Sequence, residues 1–282
     1  GVIRATVSRV RIPLSPPIAE LMKKLIIIFI VLLTSCKSIT TPKNFIEVIE
    51  GQSAGYILLP NIDDIGPGYK VVIDNESFLV YGLPYVDEDT EINFNGRTII
   101  VNYRDFGESR IKINNESLVN PNIKDRERAS SEYLKVQKII KNNSVQFNNQ
   151  FNFIAPINSV ITSPFGKRRF INDSPRSPHM GLDLRGAIGT PIVAPKKGRV
   201  VLAENHFYSG NIVMLDHGGG LFTSFSHLDS FSVKVGDVVN QGQEFSYVGS
   251  TGRVTGPHLH WVVYLNGYRI NPESLISLEN AY

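Results

Sequence analysis

Short apolar runs alternating with polar residues recur through the first half of this 282-residue chain. The runs at 56–59, 69–73, 78–81, 98–103 and 110–113 are rich in Val, Ile and Tyr, which favour a pleated, half-buried surface. Asp74-Asn75 and Asn95-Gly96 lie between such runs and supply tight hairpin turns. Strands at this spacing predict a small β-sandwich over residues 45–123. The period then changes from two to 3.6: Ala129, Tyr133, Val136 and Ile140 form one stripe of a helix predicted over 124–141. An asparagine-rich stretch breaks that pattern, so residues 124–150 read as a linking helix and linker. From 151 to 282, short apolar runs are separated by glycine and proline turns, which predicts a twisted antiparallel sheet with a groove across one face. The expected fold class is therefore mainly β: an N-terminal sandwich-like domain, a linking helix and a C-terminal antiparallel sheet domain.

The chemistry is concentrated in that last domain, because all six histidines lie beyond residue 178. Four of them fall in three motifs: His179-Met180-Gly181-Leu182-Asp183, Ser226-His227-Leu228 and His258-Leu259-His260. In the first motif apolar residues alternate with His, Gly and Asp, so His179 and Asp183 are expected on one face of a strand, with Gly181 leaving room for an ion. His258 and His260 are two residues apart at the head of Trp261-Val262-Val263-Tyr264 and are expected to share a strand face too. Imidazole and carboxylate are zinc ligands, and a site with three protein ligands leaves a position for water. The pattern reads as a zinc hydrolase. The helical zinc signature His-Glu-x-x-His is absent. His217, in Asp216-His217-Gly218, is expected to be a structural turn histidine, and His206, beside Phe207-Tyr208, a loop or cleft-wall residue.

Together with the segments 163–169, 189–191, 210–218 and 249–260, these motifs resemble the LytM/lysostaphin-type zinc metalloendopeptidases that cut peptide bonds in peptidoglycan. The resemblance covers roughly the last 120 residues and implies His179, Asp183 and His260 as zinc ligands, with His227 and His258 as catalytic histidines. Zinc accounts for the nucleophile and for polarisation of the scissile carbonyl; proton handling and oxyanion stabilisation fall to the histidines. His258 is the first candidate to orient or deprotonate water and His227 to donate to the oxyanion, although the two roles are interchangeable on sequence grounds. Phe225 stands where the resemblance leads one to expect tyrosine, and Tyr208 is a candidate for an assisting tyrosine that the sequence does not otherwise locate. A β-rich domain ahead of the peptidase resembles a subgroup with an immunoglobulin-like N-terminal domain, expected to position or occlude the site.

Near the amino terminus, Met22-Lys23-Lys24 and the apolar stretch 25–33 form a basic and then a hydrophobic segment too short to span a bilayer, as in a signal peptide. It ends Leu33-Thr34-Ser35-Cys36, which resembles a bacterial lipobox around the chain's single cysteine. Residues 22–36 are thus expected to be a lipoprotein signal, Cys36 the lipid anchor to a membrane, 37–44 a tether, and 1–21 a segment ahead of the true start. Five of the 29 bases and one of the 26 acids lie in residues 1–36, leaving 24 against 25, so no case for a nucleic-acid partner survives. A lipid anchor and a composition rich in Ile, Asn and Lys fit a Gram-negative envelope, with Lys37 favouring the outer membrane, and hence a D-alanyl to diaminopimelate crosslink in the stem peptides. The alternatives are a non-catalytic regulator of another wall hydrolase and a lipoprotein that only binds zinc or wall fragments. Oligomeric state is not legible in the sequence.

Overall fold

The computed structural model describes residues 48–60, 68–142, 144, 146–148 and 150–276. Cys36, the expected signal and the expected tether lie outside the described residues. The first seven strands are β1 (Val48–Gln52), β2 (Tyr56–Pro60), β3 (Tyr69–Ile73), β4 (Glu76–Gly82), β5 (Thr90–Phe94), β6 (Arg97–Asn102) and β7 (Glu108–Ile111). Both predicted turns are present, and Asp74, Asn75, Asn95 and Gly96 all take positive φ, as hairpin turns of this kind demand. One sheet runs β2-β4-β3 and a second runs β1-β6-β5, with β1 parallel to β6. Ile57, Leu59, Leu79 and Leu83 share a core with Ile99 and Val101, so the two sheets pack as a small sandwich. Six strands in two sheets of three are fewer than the seven of a constant-type immunoglobulin domain.

β7 leaves this sandwich. It pairs in parallel with a strand from the second half of the chain, through helices α1 (Glu116–Val119) and α2 (Ile123–Ile140), that is, across the linking segment. The helix expected over 124–141 is α2, capped by the Asn122 side chain, which accepts from the Asp125 amide at 2.9 Å. Only the end of its predicted stripe is buried. Val136 and Ile140 pack on Leu202, Met214 and Val262, whereas Tyr133 is 55% exposed. The expected stripe runs the helix's full length, but the apolar face of the sheet reaches only the last two turns, and nearer its start Arg128 and Glu132 make polar contacts with Asn205 and Phe207 instead.

The remaining strands are β8 (Ile161–Ser163), β9 (Arg168–Ile171), β10 (Ser174–Arg176), β11 (Leu182–Arg185), β12 (Pro191–Val193), β13 (Gly198–His206), β14 (Gly210–Gly218), β15 (Leu221–Phe231), β16 (Val238–Val239), β17 (Glu244–Val248), β18 (His258–Leu265) and β19 (Tyr268–Ile270), followed by α3 (Glu273–Ile276). Ten of them form one sheet ordered β16-β13-β14-β15-β18-β11-β8, with β17 on β15, β12 on β17 and β19 on β18. β9 and β10 form the hairpin that receives β7. Trp261, Phe225 and Phe245 are fully buried at the centre, with the two phenyl rings edge to face at 4.9 Å. Phe225, where tyrosine was expected, is therefore core. Tyr69, Val71 and Val80 of the amino-terminal strands join that same core, and the Gly82 amide donates to the Asn266 side chain at 3.4 Å. From residue 48 onward the described chain accordingly forms one compact unit.

Candidate metal centre

β11 and β18 are antiparallel neighbours in the register Asp183↔His260, so a carboxylate and an imidazole 77 residues apart in sequence face each other across one rung. His179 lies just before β11, held by two backbone bonds: its N–H donates to Lys167 and its carbonyl accepts from Gly166. The donor atoms of His179, Asp183 and His260 all lie within 4.8 Å of one another. His260 Nδ1 is 2.7 Å from Asp183 Oδ1, His179 Nε2 is 3.0 Å from the same oxygen, and the two nitrogens are 3.2 Å apart.

The donor chemistry fits a cation. His179 Nδ1 lies 3.0 Å from the Pro164 carbonyl and 3.1 Å from Ser163 Oγ; because a carbonyl only accepts, the proton sits on Nδ1. A neutral His179 then aims its Nε2 lone pair at the Asp183 carboxylate, an acceptor facing an acceptor at 3.0 Å. A positive ion between them removes that conflict. An outer carbonyl that fixes the tautomer of a ligating imidazole is the usual support of such a site. Tetrahedral zinc with bonds of about 2.0–2.1 Å holds its donors roughly 3.3 Å apart; the 3.2 and 3.0 Å separations fall just inside that value, and the 2.7 Å between His260 Nδ1 and Asp183 Oδ1 must open by about 0.6 Å to reach it. Burial works to raise the Asp183 pKa, but its close contacts with the His179 and His260 rings outweigh it and hold the carboxyl well below the ordinary range. Burial pushes His260 down to about 4, which keeps its ring available as a neutral donor.

Gly181 does not leave space for an ion as expected. A Cβ there meets His260 Cε1 at 2.5 Å and Nε2 at 2.7 Å, so the missing side chain makes room for the His260 ring. Nor does the whole 179–183 segment run as strand, since β11 begins at Leu182.

His227 and His258 join the same site from the other side. Their ring centroids are 5.0 Å apart, and His227 is 5.8 Å from the ring of His260. His227 arrives there through a bulge: three steps along β15 from Phe225 to Leu228 oppose two along β14 from Val213 to Asn211. The extra residue takes φ +64, a left-handed conformation that costs a β-carbon-bearing residue roughly 1–3 kcal/mol, and such bulges re-aim side chains beside functional sites. His227 Nδ1–H donates to the Thr251 carbonyl at 2.9 Å, and His258 Nδ1–H to the Gly256 carbonyl at 2.8 Å. Both Nε2 atoms are thereby left free of protons in the neutral ring, and burial pushes His227 down to about 3.

The other two histidines stand apart. His217 lies within β14, not in the turn that follows it: it is fully buried, donates from Nδ1 to the Lys197 carbonyl and accepts at Nε2 from Thr223. His206 closes β13 and pairs with Glu204 at 2.7 Å. A groove of about 560 Å³ lies over Asp183, His227, His258 and His260, and Tyr208 borders it. Sequence reasoning missed the Pro164, Thr251 and Gly256 carbonyls that orient three imidazoles, because a backbone acceptor leaves no mark on residue type. It also missed Arg169 and Arg253 in the groove wall.

The profile of Peptidase family M23 matches residues 177–272, which span all five of these side chains, and the carboxy-terminal part of the chain is an M23 peptidase domain. A peptidoglycan DD-endopeptidase, ShyA of Vibrio cholerae, is 42% identical over 112 residues, covering 39% of this chain and 26% of its own. The DD-carboxypeptidase/endopeptidase Mpg of Neisseria meningitidis is 38% identical over 125 residues, covering 44% of this chain and 29% of its own. The chain thus spans less than a third of the length of these relatives. The crystal structure of an M23 peptidase from Pseudomonas aeruginosa superposes with a TM-score of 0.63 at 26% identity over 79% of this chain and 94% of that one. The match therefore extends beyond residues 177–272 into the amino-terminal strands.

Proposed function

We propose that this protein is a zinc-dependent endopeptidase that hydrolyses peptide crosslinks of bacterial peptidoglycan, the D-alanyl to diaminopimelate bond being the first candidate. The observation that carries the reading is the convergence of His179, Asp183 and His260 beside two further histidines that make no contact needed to hold an ion. His179 Nε2, Asp183 Oδ1 and His260 Nδ1 would hold zinc, which when bound would supply Lewis acidity at the scissile carbonyl and lower the pKa of water. The chain's own residues supply the proton path. Because the Thr251 and Gly256 carbonyls fix the protons of His227 and His258 on Nδ1, each ring meets the groove with an Nε2 lone pair. That arrangement supports proton acceptance from water, first by His258 because burial disfavours a charged His227, and donation to an oxyanion or a leaving amine only after a ring has taken that proton. A regulator without activity has no use for the strained backbone that aims His227. Among the described residues no helix is long and apolar enough to cross a membrane, and attachment to the envelope through a lipidated Cys36 is part of the proposal.

The test is incubation of zinc-loaded residues 37–282 with purified sacculi, followed by mass spectrometry of the released muropeptides. Release of uncrosslinked stem peptides is expected, with His227→Ala and His258→Ala retaining zinc but losing roughly a hundredfold or more in rate, and Asp183→Ala losing the metal. Intact sacculi with zinc-loaded wild-type protein would refute the reading.

A further inference from the structure

The groove over the metal centre is strongly and one-sidedly basic. Lys167, Arg169, Arg185 and Arg253 line it against a single carboxylate, Asp183, which the proposed metal occupies. None of these four cations has an ion-pair partner among the described residues, whereas Arg110, Arg128, Lys135 and Arg168 elsewhere on the surface do. The contrast is sharpest along β9. Arg168 reaches outward to Glu108 at 3.6 Å, while Arg169, the next residue and so on the opposite face, turns into the groove. Its Nε is buried and has no hydrogen-bond partner.

Arg253 is held ready in a different way. Its guanidinium carbon lies over the Tyr208 ring, 4.2 Å from the centroid, and its backbone N–H donates to the Tyr208 carbonyl at 2.8 Å. Packing on the ring restricts the guanidinium beside the groove that it lines. Both guanidinium groups line the same groove; burial lowers the Arg253 pKa, Tyr208 counters it, and Arg169 and Arg176 act in the same direction as burial. Burial likewise lowers that of Arg169, which only Asp183 counters. Two partly desolvated like charges are costly in the absence of an anion, and a planar fork matches a carboxylate with two parallel hydrogen bonds.

We infer that Arg169 and Arg253 form a subsite for a free carboxylate of the peptide substrate, adjoining the metal centre and selecting acidic peptides over neutral ones. The inference rests on the endopeptidase reading of the site and adds to it the charge class of the substrate. The two arginines act as specificity residues, binding a group that does not react.

Binding separates this subsite from catalysis. The zinc-loaded full chain carrying His258→Ala is titrated with one crosslinked stem peptide in two forms, its carboxylates free or all converted to carboxamides, and Kd is read by calorimetry. The free acid is expected to bind at least about tenfold more tightly. Arg169→Gln and Arg253→Gln should each reduce that preference to about threefold or less while shifting the Kd of the amidated peptide by less than about threefold; Arg169→Lys, which keeps charge but loses the fork, should restore the preference only in part. Equal affinity for the two peptides, or a preference that survives both glutamine substitutions in protein that retains its zinc, overturns the inference. Wild-type protein that cleaves both peptides with equal binding would leave the endopeptidase reading standing and remove the subsite. A preference that follows the arginines without any cleavage by the wild type would do the reverse.

Discussion

Substituting Gly181 by alanine tests how the centre is assembled, because the atoms that the added methyl meets first belong to the third ligand, His260, and not to His179 or Asp183. The new Cβ would stand 2.5 Å from His260 Cε1, 2.7 Å from Nε2 and 2.9 Å from Val262 Cγ2, all closer than real contacts allow. His260 has no room to retreat as a unit, since its backbone is paired to Asp183 on one side and Ser226 on the other. The ring must turn instead, which takes Nδ1 off its 2.7 Å approach to Asp183 Oδ1. Rotating a side chain about 30° off its rotamer costs roughly 0.5–1.5 kcal/mol, and overpacking of this kind roughly 1–3 kcal/mol in all. Metal-free Gly181→Ala should therefore melt about 2–12 °C lower, on the scale of about 2–4 °C per kcal/mol for a domain of this size. Its zinc affinity should fall by about tenfold or more, the scale seen when groups supporting ligands are disturbed. Competition with a chromophoric chelator measures the affinity, and Gly256→Ala, whose Cβ meets nothing within 4 Å, is the control for loss of a glycine near the site. A folded Gly181→Ala protein with wild-type zinc affinity would show that the His260 ring does not hold the metal from its observed position.

His217 is buried with its pKa pushed down to about 4 by that burial, below its unfolded value near 6.5. The unfolded chain therefore takes up the proton first, so stability is full above pH 6.5 and falls as pH drops toward 4, by up to about 3 kcal/mol. Denaturant titrations of metal-free protein across that window should show a shallower decline for His217→Gln, and an unchanged slope would refute the assignment. Thr251 Oγ1 accepts from the Asn211 amide and donates to the Leu228 carbonyl, so Thr251→Val should cost roughly 1–3 kcal/mol and loosen the loop whose carbonyl orients His227. The expected signature is a lower melting temperature with a reduced rate of hydrolysis and undiminished zinc. Cys36→Ser, expressed in a Gram-negative host, should move the protein from the detergent-extracted membrane fraction to the soluble fraction if that cysteine carries the anchor. An unchanged distribution would rule the lipobox out.

Local chemistry made much of this protein legible in one dimension. Asp74-Asn75 and Asn95-Gly96 dictate their turns because residues that tolerate positive φ are needed there whatever the rest of the chain does. His258 and His260 share a face because a strand repeats every two residues, and the histidine motifs announce a metal because few other needs place those side chains so close. The sequence also marked the helix, although not how little of it would be covered, since burial depends on where a sheet formed from residues 198–265 comes to an end. What tertiary structure alone decided are the relations between segments. The register Asp183↔His260 brings two ligands onto one rung, and the bulge that turns His227 into the site comes from a mismatch of one residue between strands β14 and β15, which neither strand carries by itself. The passage of β7 from the sandwich to β9, the use of Gly181 as space for an imidazole ring and the gathering of unpaired arginines along the groove are of the same kind. A side chain's type fixes which bonds it can make, but its partners are set by backbone as far as 77 residues away, as for Asp183 and His260, and only the packed sheet brings the two within reach.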